Sequence, residues 1–149
     1  PAPPIQGVAL NGETIDLAAL QGRPVALAFY KSNCPACKEM VPKLAPIFDR
    51  YAQEAPTISI GVGHDTPETM TAFAEANGVH TPILLDSSRS LRGEYSLYRV
   101  PTIFFLDPEG KVVERYNGAT ERLPDAVDQT FRALLGRADF PDYDEQGYG

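Results

Sequence analysis

Cys34-Pro35-Ala36-Cys37 holds the only two cysteines of the sequence. Thiols at this spacing can close a disulfide with each other, so the pair can hold or release an electron pair. One thiolate attacks a foreign disulfide and forms a mixed disulfide, which the other thiol then resolves. Two further readings stand beside this one. Half a zinc site needs two more ligands, and the only imidazoles, His64 and His80, are sixteen positions apart, far from finger spacing. A purely structural disulfide would close a loop too small to stabilise much. The spacing therefore favours redox chemistry at Cys34 and Cys37, with no metal and no cofactor.

The elements that must position such a pair are legible on either side of it. Val25–Tyr30 is continuously apolar, as expected of a central strand buried on both faces. Beyond the cysteines, Met40, Val41, Leu44, Ile47, Phe48 and Tyr51 recur at helical spacing. Pro35 suits the first turn of that helix, where a missing N–H costs nothing. Pro42 and Pro46 fall inside the pattern and predict a kink. Cys34 thus falls where a strand gives way to a helix. A helix N-terminus carries roughly half a positive charge and free N–H groups. With Lys31 and Lys38 close by, these favour a thiolate over a free thiol, whose pKa is about 8.5. Cys34 is expected to be the partly exposed nucleophile, with a pKa below that of Cys37. Cys37, one turn on, is the more buried resolving thiol, and Lys31 and Pro35 support the pair.

The rest of the chain predicts a single domain over residues 1–149. Residues 1–7 form a Pro-rich lead-in, and Asp139–Gly149, acidic and rich in Tyr and Gly, a poorly ordered tail. Asn11-Gly12 predicts a hairpin with Val8–Leu10 and Thr14–Asp16 as arms. Strands are expected at Thr57–Val62, Ile83–Leu85, Pro101–Leu106 and Lys111–Tyr116, the last two joined by the turn Asp107-Pro108-Glu109-Gly110. Helices are expected over Thr66–Asn77, capped by Thr66 and stopped by Gly78, over Ser88–Leu97, and over Leu123–Leu135. Strands alternating with helices and a late hairpin give an α/β fold: a mixed central sheet with helices on both faces and an N-terminal hairpin.

Other polar residues read as scaffolding. His64 and His80 fall in loops, Glu68 and Glu75 on a solvated helix face, and Asp86 at a turn or cap. Tyr95 and Tyr98 either line a groove beside Pro101 or pack. A net charge of -7 gives no electrostatic case for nucleic acid or anionic membranes. No apolar run approaches the roughly 20 residues of a membrane span.

Taken together, these motifs resemble the thioredoxin superfamily, specifically its redoxin and TlpA/ResA-like branch. The resemblance runs from about Leu17 to Leu135. It rests on Gly22-Arg23-Pro24-Val25, Phe29-Tyr30 before the Cys34–Cys37 motif, Pro42, Gly61-Val62-Gly63, Pro82–Asp86, Val100-Pro101-Thr102 and Phe104–Val113. It implies a thioredoxin-like fold, with Asp65–Leu97 as the strand-and-helix insertion of that branch, and a thiol-disulfide oxidoreductase acting on protein disulfides. By resemblance, the Val100-Pro101 bond is cis and lies against the cysteines. Val100 and Pro101 then bind substrate, with the Val100 main chain pairing to an extended segment.

The chain departs from the pattern at Ala28, where thioredoxins carry a buried Asp, at Asn33, where they carry Trp, and at Pro35 and Ala36, where ResA-like members often carry Glu. That leaves Lys31, Glu39 or water to take a proton from Cys37. The expected partners are protein thiols and disulfides and a redox partner protein. The resemblance, the Pro-rich start and the missing initiator Met together predict a periplasmic or otherwise exported protein, with room for a membrane tether ahead of Pro1. The alternatives are a peroxiredoxin-like thiol peroxidase and a non-enzymatic redoxin-fold binding module. The first must contend with Cys34 and Val100 at the positions of the peroxidase Thr and Arg, although Arg99 is adjacent.

Overall fold

The computed structural model describes residues 1–143. Its centre is a five-stranded sheet in the order β5-β4-β3-β6-β7: β3 (Val25–Tyr30), β4 (Thr57–Gly61), β5 (Ile83–Leu85), β6 (Thr102–Leu106) and β7 (Val112–Asn117). β3 runs parallel to β4, and β4 to β5; β6 lies antiparallel to β3 and to β7. The central position of β3 explains its composition. All six of its residues are buried, because neighbours cover both edges and side chains cover both faces.

The two faces are covered unequally. α1 (Pro35–Tyr51), α2 (Pro67–Asn77) and α4 (Leu123–Leu134) share one buried cluster with Ala26, Ala28 and Tyr30 of β3. The opposite face carries Leu27 and Phe29. It is covered by an N-terminal hairpin, β1 (Gln6–Val8) and β2 (Thr14–Asp16), by a 3-10 turn at Leu17–Leu20, and by short α3 (Ser90–Glu94) with Tyr95. The mixed α/β sheet, the helices on both faces and the hairpin all match the expectation from sequence.

Local chemistry sets the ends of these elements. Thr66 caps α2 by accepting the Thr69 N–H (3.1 Å), and Gly78 closes it at φ 70°. Asp86 accepts the Leu91 N–H (3.0 Å) at the entry to α3, so it is a turn-and-cap residue.

Three expectations need correction. The first hairpin arm is Gln6–Val8, not Val8–Leu10. The Ala9 N–H already turns back to the Glu13 carbonyl (2.8 Å), and the Leu10 N–H donates to the carbonyl of Ile83 in β5 (2.9 Å), so the chain leaves the ladder after Val8. The lead-in is packed: Ile5 is buried, and the Tyr95 hydroxyl donates to the Pro3 carbonyl. The expected tail begins in contact with the body, where Tyr143 lies edge-on to Tyr116 at 5.1 Å; residues 144–149 lie outside the described residues.

Phe131 joins the helices to the sheet. Its ring stacks on Tyr51 (4.7 Å) and meets Phe105 edge-on (5.0 Å), with no exposure to solvent. Phe131→Ala is expected to cost about 3–5 kcal/mol, read as a lowered urea midpoint at unchanged m-value.

Candidate active site

Cys34 is the N-cap of α1, with extended backbone (φ -156°, ψ 114°). Its carbonyl accepts the Lys38 N–H at 2.9 Å, while its sulfur accepts the Cys37 N–H at 3.2 Å. A sulfur in this position does what a Ser or Asp oxygen does at an ordinary cap: it satisfies an orphan donor and sits at the positive end of the helix. Pro35 follows at N1 and spends no N–H there. α1 continues unbroken through Pro42 and Pro46.

Both thiols are free. Cys37 has no exposure and Cys34 only 6%, so the ranking follows expectation but Cys34 is more covered than a partly exposed residue. Its cover comes from the loop before β6. The Val100-Pro101 peptide is cis, as the resemblance implied, and the Cys34 thiol points to the Val100 carbonyl at 3.8 Å. Burial, and then the hydrogen bond to Cys34, push the Cys37 thiol well above its ordinary value; the backbone and charge of Lys31 pull the other way and are outweighed.

Two braces that no sequence pattern marks hold the loops that meet at Cys34. The first is Asp65, which accepts the Ser32 N–H (2.9 Å), the Ser32 hydroxyl and the Thr69 hydroxyl (2.7 Å). It ties the 31–33 segment to the start of α2. Burial works against the Asp65 charge, but the bonds from Ser32 and Thr69, with the Lys31 charge, hold its carboxyl below the usual range. Gly63 makes room for Lys31, since a Cβ there would lie 2.9 Å from the Lys31 stem.

The second brace is Arg115 on β7, which donates to the carbonyls of Tyr95 (3.0 Å) and Ser96 (2.7 Å) and to Asn117 (2.9 Å). Its guanidinium also lies over the rings of Phe104 (4.9 Å) and Tyr98 (5.4 Å). Nearby, the Gly118 N–H donates to the Pro101 carbonyl (2.8 Å), and the Thr102 hydroxyl to the Arg99 carbonyl (2.6 Å). A single Asp or Arg carries no periodicity, so only the contacts reveal these roles.

The remaining candidates separate. Tyr95 is core, tilted against Phe29 and edge-on to Phe104, whereas Tyr98 is 59% exposed. His80 pairs with Asp49 (2.8 Å), and His64 lies beside Arg89 (3.2 Å), so each imidazole has its own partner. Glu39 is exposed on the outer face of α1, away from the buried Cys37.

Residues 1–115, which include both cysteines and the Val100-Pro101 turn, match the AhpC/TSA family. The chain belongs to that family. Thiol-disulfide oxidoreductase ResA of Bacillus subtilis (strain 168) is 32% identical over 109 residues, 72% of this chain and 60% of its own. The chain therefore spans about 60% of that relative's length. Two solved structures share the fold. The thiol:disulfide interchange protein, a thioredoxin family protein, from Chlorobium tepidum TLS superposes with TM-score 0.78 at 21% identity, covering 91% of this chain and 96% of its own. A secreted Mycobacterium tuberculosis disulfide oxidoreductase homologous to Escherichia coli DsbE gives 0.75 at 21%, covering 87% and 95%. The thioredoxin-like fold of this family member is thereby shown.

Two outcomes follow from the site. In the reduced protein iodoacetamide is expected to label Cys34 faster than Cys37, as peptide mapping after brief exposure would read; the opposite order would reverse the two thiols. Asp65 carries a depressed pKa in the folded state, so its contribution to stability is present above its unfolded pKa of about 3.9 and is lost as pH falls through the folded value. Asp65→Asn is therefore expected to lower the urea midpoint at neutral pH, and the gap to the parent protein is expected to shrink below pH ~4.

Proposed function

We propose that this protein is a thiol-disulfide oxidoreductase that exchanges disulfides with protein substrates through Cys34 and Cys37. The observation that carries this reading is the setting of the Cys34 sulfur. It caps a helix, takes the Cys37 N–H at 3.2 Å, and faces the Val100 carbonyl at 3.8 Å. The ResA relative is named for the same activity.

The Cys34 thiolate attacks one sulfur of the substrate disulfide, and the first substrate thiolate leaves. Cys37 then loses its proton and attacks the Cys34 sulfur. The mixed disulfide breaks, the second substrate thiolate leaves, and Cys34–Cys37 becomes the disulfide. The substrate is reduced by two electrons and the protein oxidised by two, so no metal or cofactor is required. Run backwards, the same steps oxidise a substrate dithiol, and a redox partner protein resets the pair. Val100 and Pro101 form the wall against which an extended substrate segment lies, with the Val100 main chain as its pairing edge. Lys31 adds positive charge before the helix, and Pro35 starts the helix without competing for the sulfur.

Membership in the AhpC/TSA family keeps a peroxide-consuming reading in view. In that reading Cys37 is the attacking thiol. Its complete burial and raised pKa oppose the role, because a peroxide-reactive sulfur has to be an accessible thiolate. An exported location, periplasmic where a periplasm exists, fits a chemistry that needs oxidisable substrates, and the Mycobacterium tuberculosis neighbour is described as secreted. A membrane tether ahead of Pro1 would extend this placement.

Insulin reduction by dithiothreitol is expected to run faster with the protein than without it. Cys34→Ser should return the rate to background, and Cys37→Ser should accumulate a mixed disulfide that mass spectrometry detects. Peroxide consumption above that of free cysteine, with no effect on insulin, would overturn the proposal in favour of the peroxidase.

A further inference from the structure

A resolving thiol must lose its proton inside the protein. Cys37 has no exposure, and burial opposes its ionisation. The sheet beneath it offers no carboxylate: the β3 residues on that face are Ala26, Ala28 and Tyr30. What the face offers instead is hydroxyl groups. Ala28 is paired in register with Ser59 of β4, and Tyr30 with Gly61, so Ser59 occupies the level of Ala28 on the same side of the sheet. Ser59 has no exposure, and its hydroxyl is 2.7 Å from that of Thr81, a half-buried residue just before β5. The Tyr30 hydroxyl is buried in the same cluster as Cys37 and has no hydrogen-bond partner among the described residues.

A buried, unpartnered hydroxyl is costly, and such groups are few in native structures. Ser59 and Thr81 both act to lower its pKa and charge on Cys37 raises it, although no hydrogen bond joins the Tyr30 oxygen to any of the three at rest. Burial is the largest influence and sends the phenol up to about 12, so Tyr30 stays a neutral hydroxyl that can accept one proton while giving another.

We propose that the hydroxyls of Tyr30, Ser59 and Thr81 form a relay that carries the proton away from Cys37 as it becomes the attacking thiolate. This rests on the oxidoreductase reading above and assigns the proton path within it. The Cys37 S–H bond breaks and its proton passes to the Tyr30 oxygen, while the Tyr30 proton passes to Ser59. Ser59 hands its proton to Thr81, and Thr81 releases one to water at the half-exposed end. Each hydroxyl finishes as it began. The Cys37 electron pair forms the new bond to the Cys34 sulfur, and the departing substrate thiolate takes up a proton from solvent. The other charged or titratable groups bearing on the path are Asp65, which acts on Tyr30, and Cys34 and Lys31, which act on Cys37.

The test is a single turnover of the reduced full chain with a chromogenic aromatic disulfide, followed by stopped flow. Attack by Cys34 releases the first coloured thiolate, and resolution by Cys37 releases the second. Tyr30→Phe is expected to leave the first phase unchanged and to slow the second about tenfold or more near neutral pH, the lower range for positioned proton transfer. The deficit should shrink as pH rises, because hydroxide takes over the proton, and the solvent deuterium isotope effect on the second phase should change. Thr81→Val, at the half-exposed end, should give the same pattern with the core intact. Since the Tyr30 oxygen is buried with no bond to lose, Tyr30→Phe should keep or raise its urea midpoint. A second phase as fast as in the parent protein overturns the relay, and so does a slowing equal at every pH, which would mean packing alone. If the parent protein shows no second phase, the oxidoreductase reading fails, an outcome distinct from loss of the relay alone.

Discussion

The bond from the Cys37 N–H to the Cys34 sulfur, 3.2 Å long, fixes what the rest of the molecule has to do. It exists only if Cys34 stands at the N-cap of α1 in extended backbone, and that requires the chain to pass from β3 into α1 within Lys31, Ser32 and Asn33. A turn so short must be held from outside. Asp65 holds it on one side through Ser32, and the sheet holds it from beneath, because β3 is buried along its whole length between β4 and β6. Gly63 completes the arrangement by letting the Lys31 stem lie close to the backbone. Each of these groups removes a way for the Cys34 sulfur to drift off the helix axis.

The same bond splits two chemically identical thiols. Cys34 receives donors and the helix dipole, whereas Cys37 gives its N–H away and keeps its sulfur in the core. A chain of net charge -7 thus builds a locally electropositive point from main-chain dipoles and Lys31, not from its overall charge. The second wall of the site is set by β7. Arg115 grips the carbonyls of Tyr95 and Ser96, and the Gly118 N–H grips that of Pro101, so the segment that faces Cys34 is fastened at both ends.

Elements with strong periodicity were legible in the sequence. The apolar run Val25–Tyr30, the Thr66 cap with Pro67 after it, and the stripe Leu123, Val127, Phe131 and Leu134 each appear within a residue or so of their expected bounds, because local burial and capping decide them. Asn11-Gly12 predicts a hairpin with Val8–Leu10 as its first arm, whereas the arm is Gln6–Val8. The Leu10 N–H has a better partner in Ile83, a contact distant in sequence that no local pattern shows. The cysteine pair was legible from spacing, and the Val100-Pro101 turn from family resemblance. Asp65 and Arg115 were not, since their roles lie in carbonyls and hydroxyls brought together by the fold. In sequence Tyr30 is one more residue of the apolar strand, and its unpartnered oxygen shows only in the fold.

Ala28 shows why the surroundings of Cys37 take the form they do. A carboxylate at that position would have to be desolvated on the fully buried central strand, at a cost that falls on the folded state at every moment, whether or not a turnover is in progress. Hydroxyls spread the same task over groups that carry no charge at rest. Ser59 and Thr81 satisfy each other at 2.7 Å, so the standing penalty reduces to the single Tyr30 oxygen. The exchange has a kinetic side. A carboxylate accepts a proton and holds it, whereas neutral hydroxyls must pass it on at once, which ties the resolving step to the half-exposed end at Thr81. With Ala28 at this position, the limiting feature of the site is the continuity of a path across β4 and not the acidity of one group.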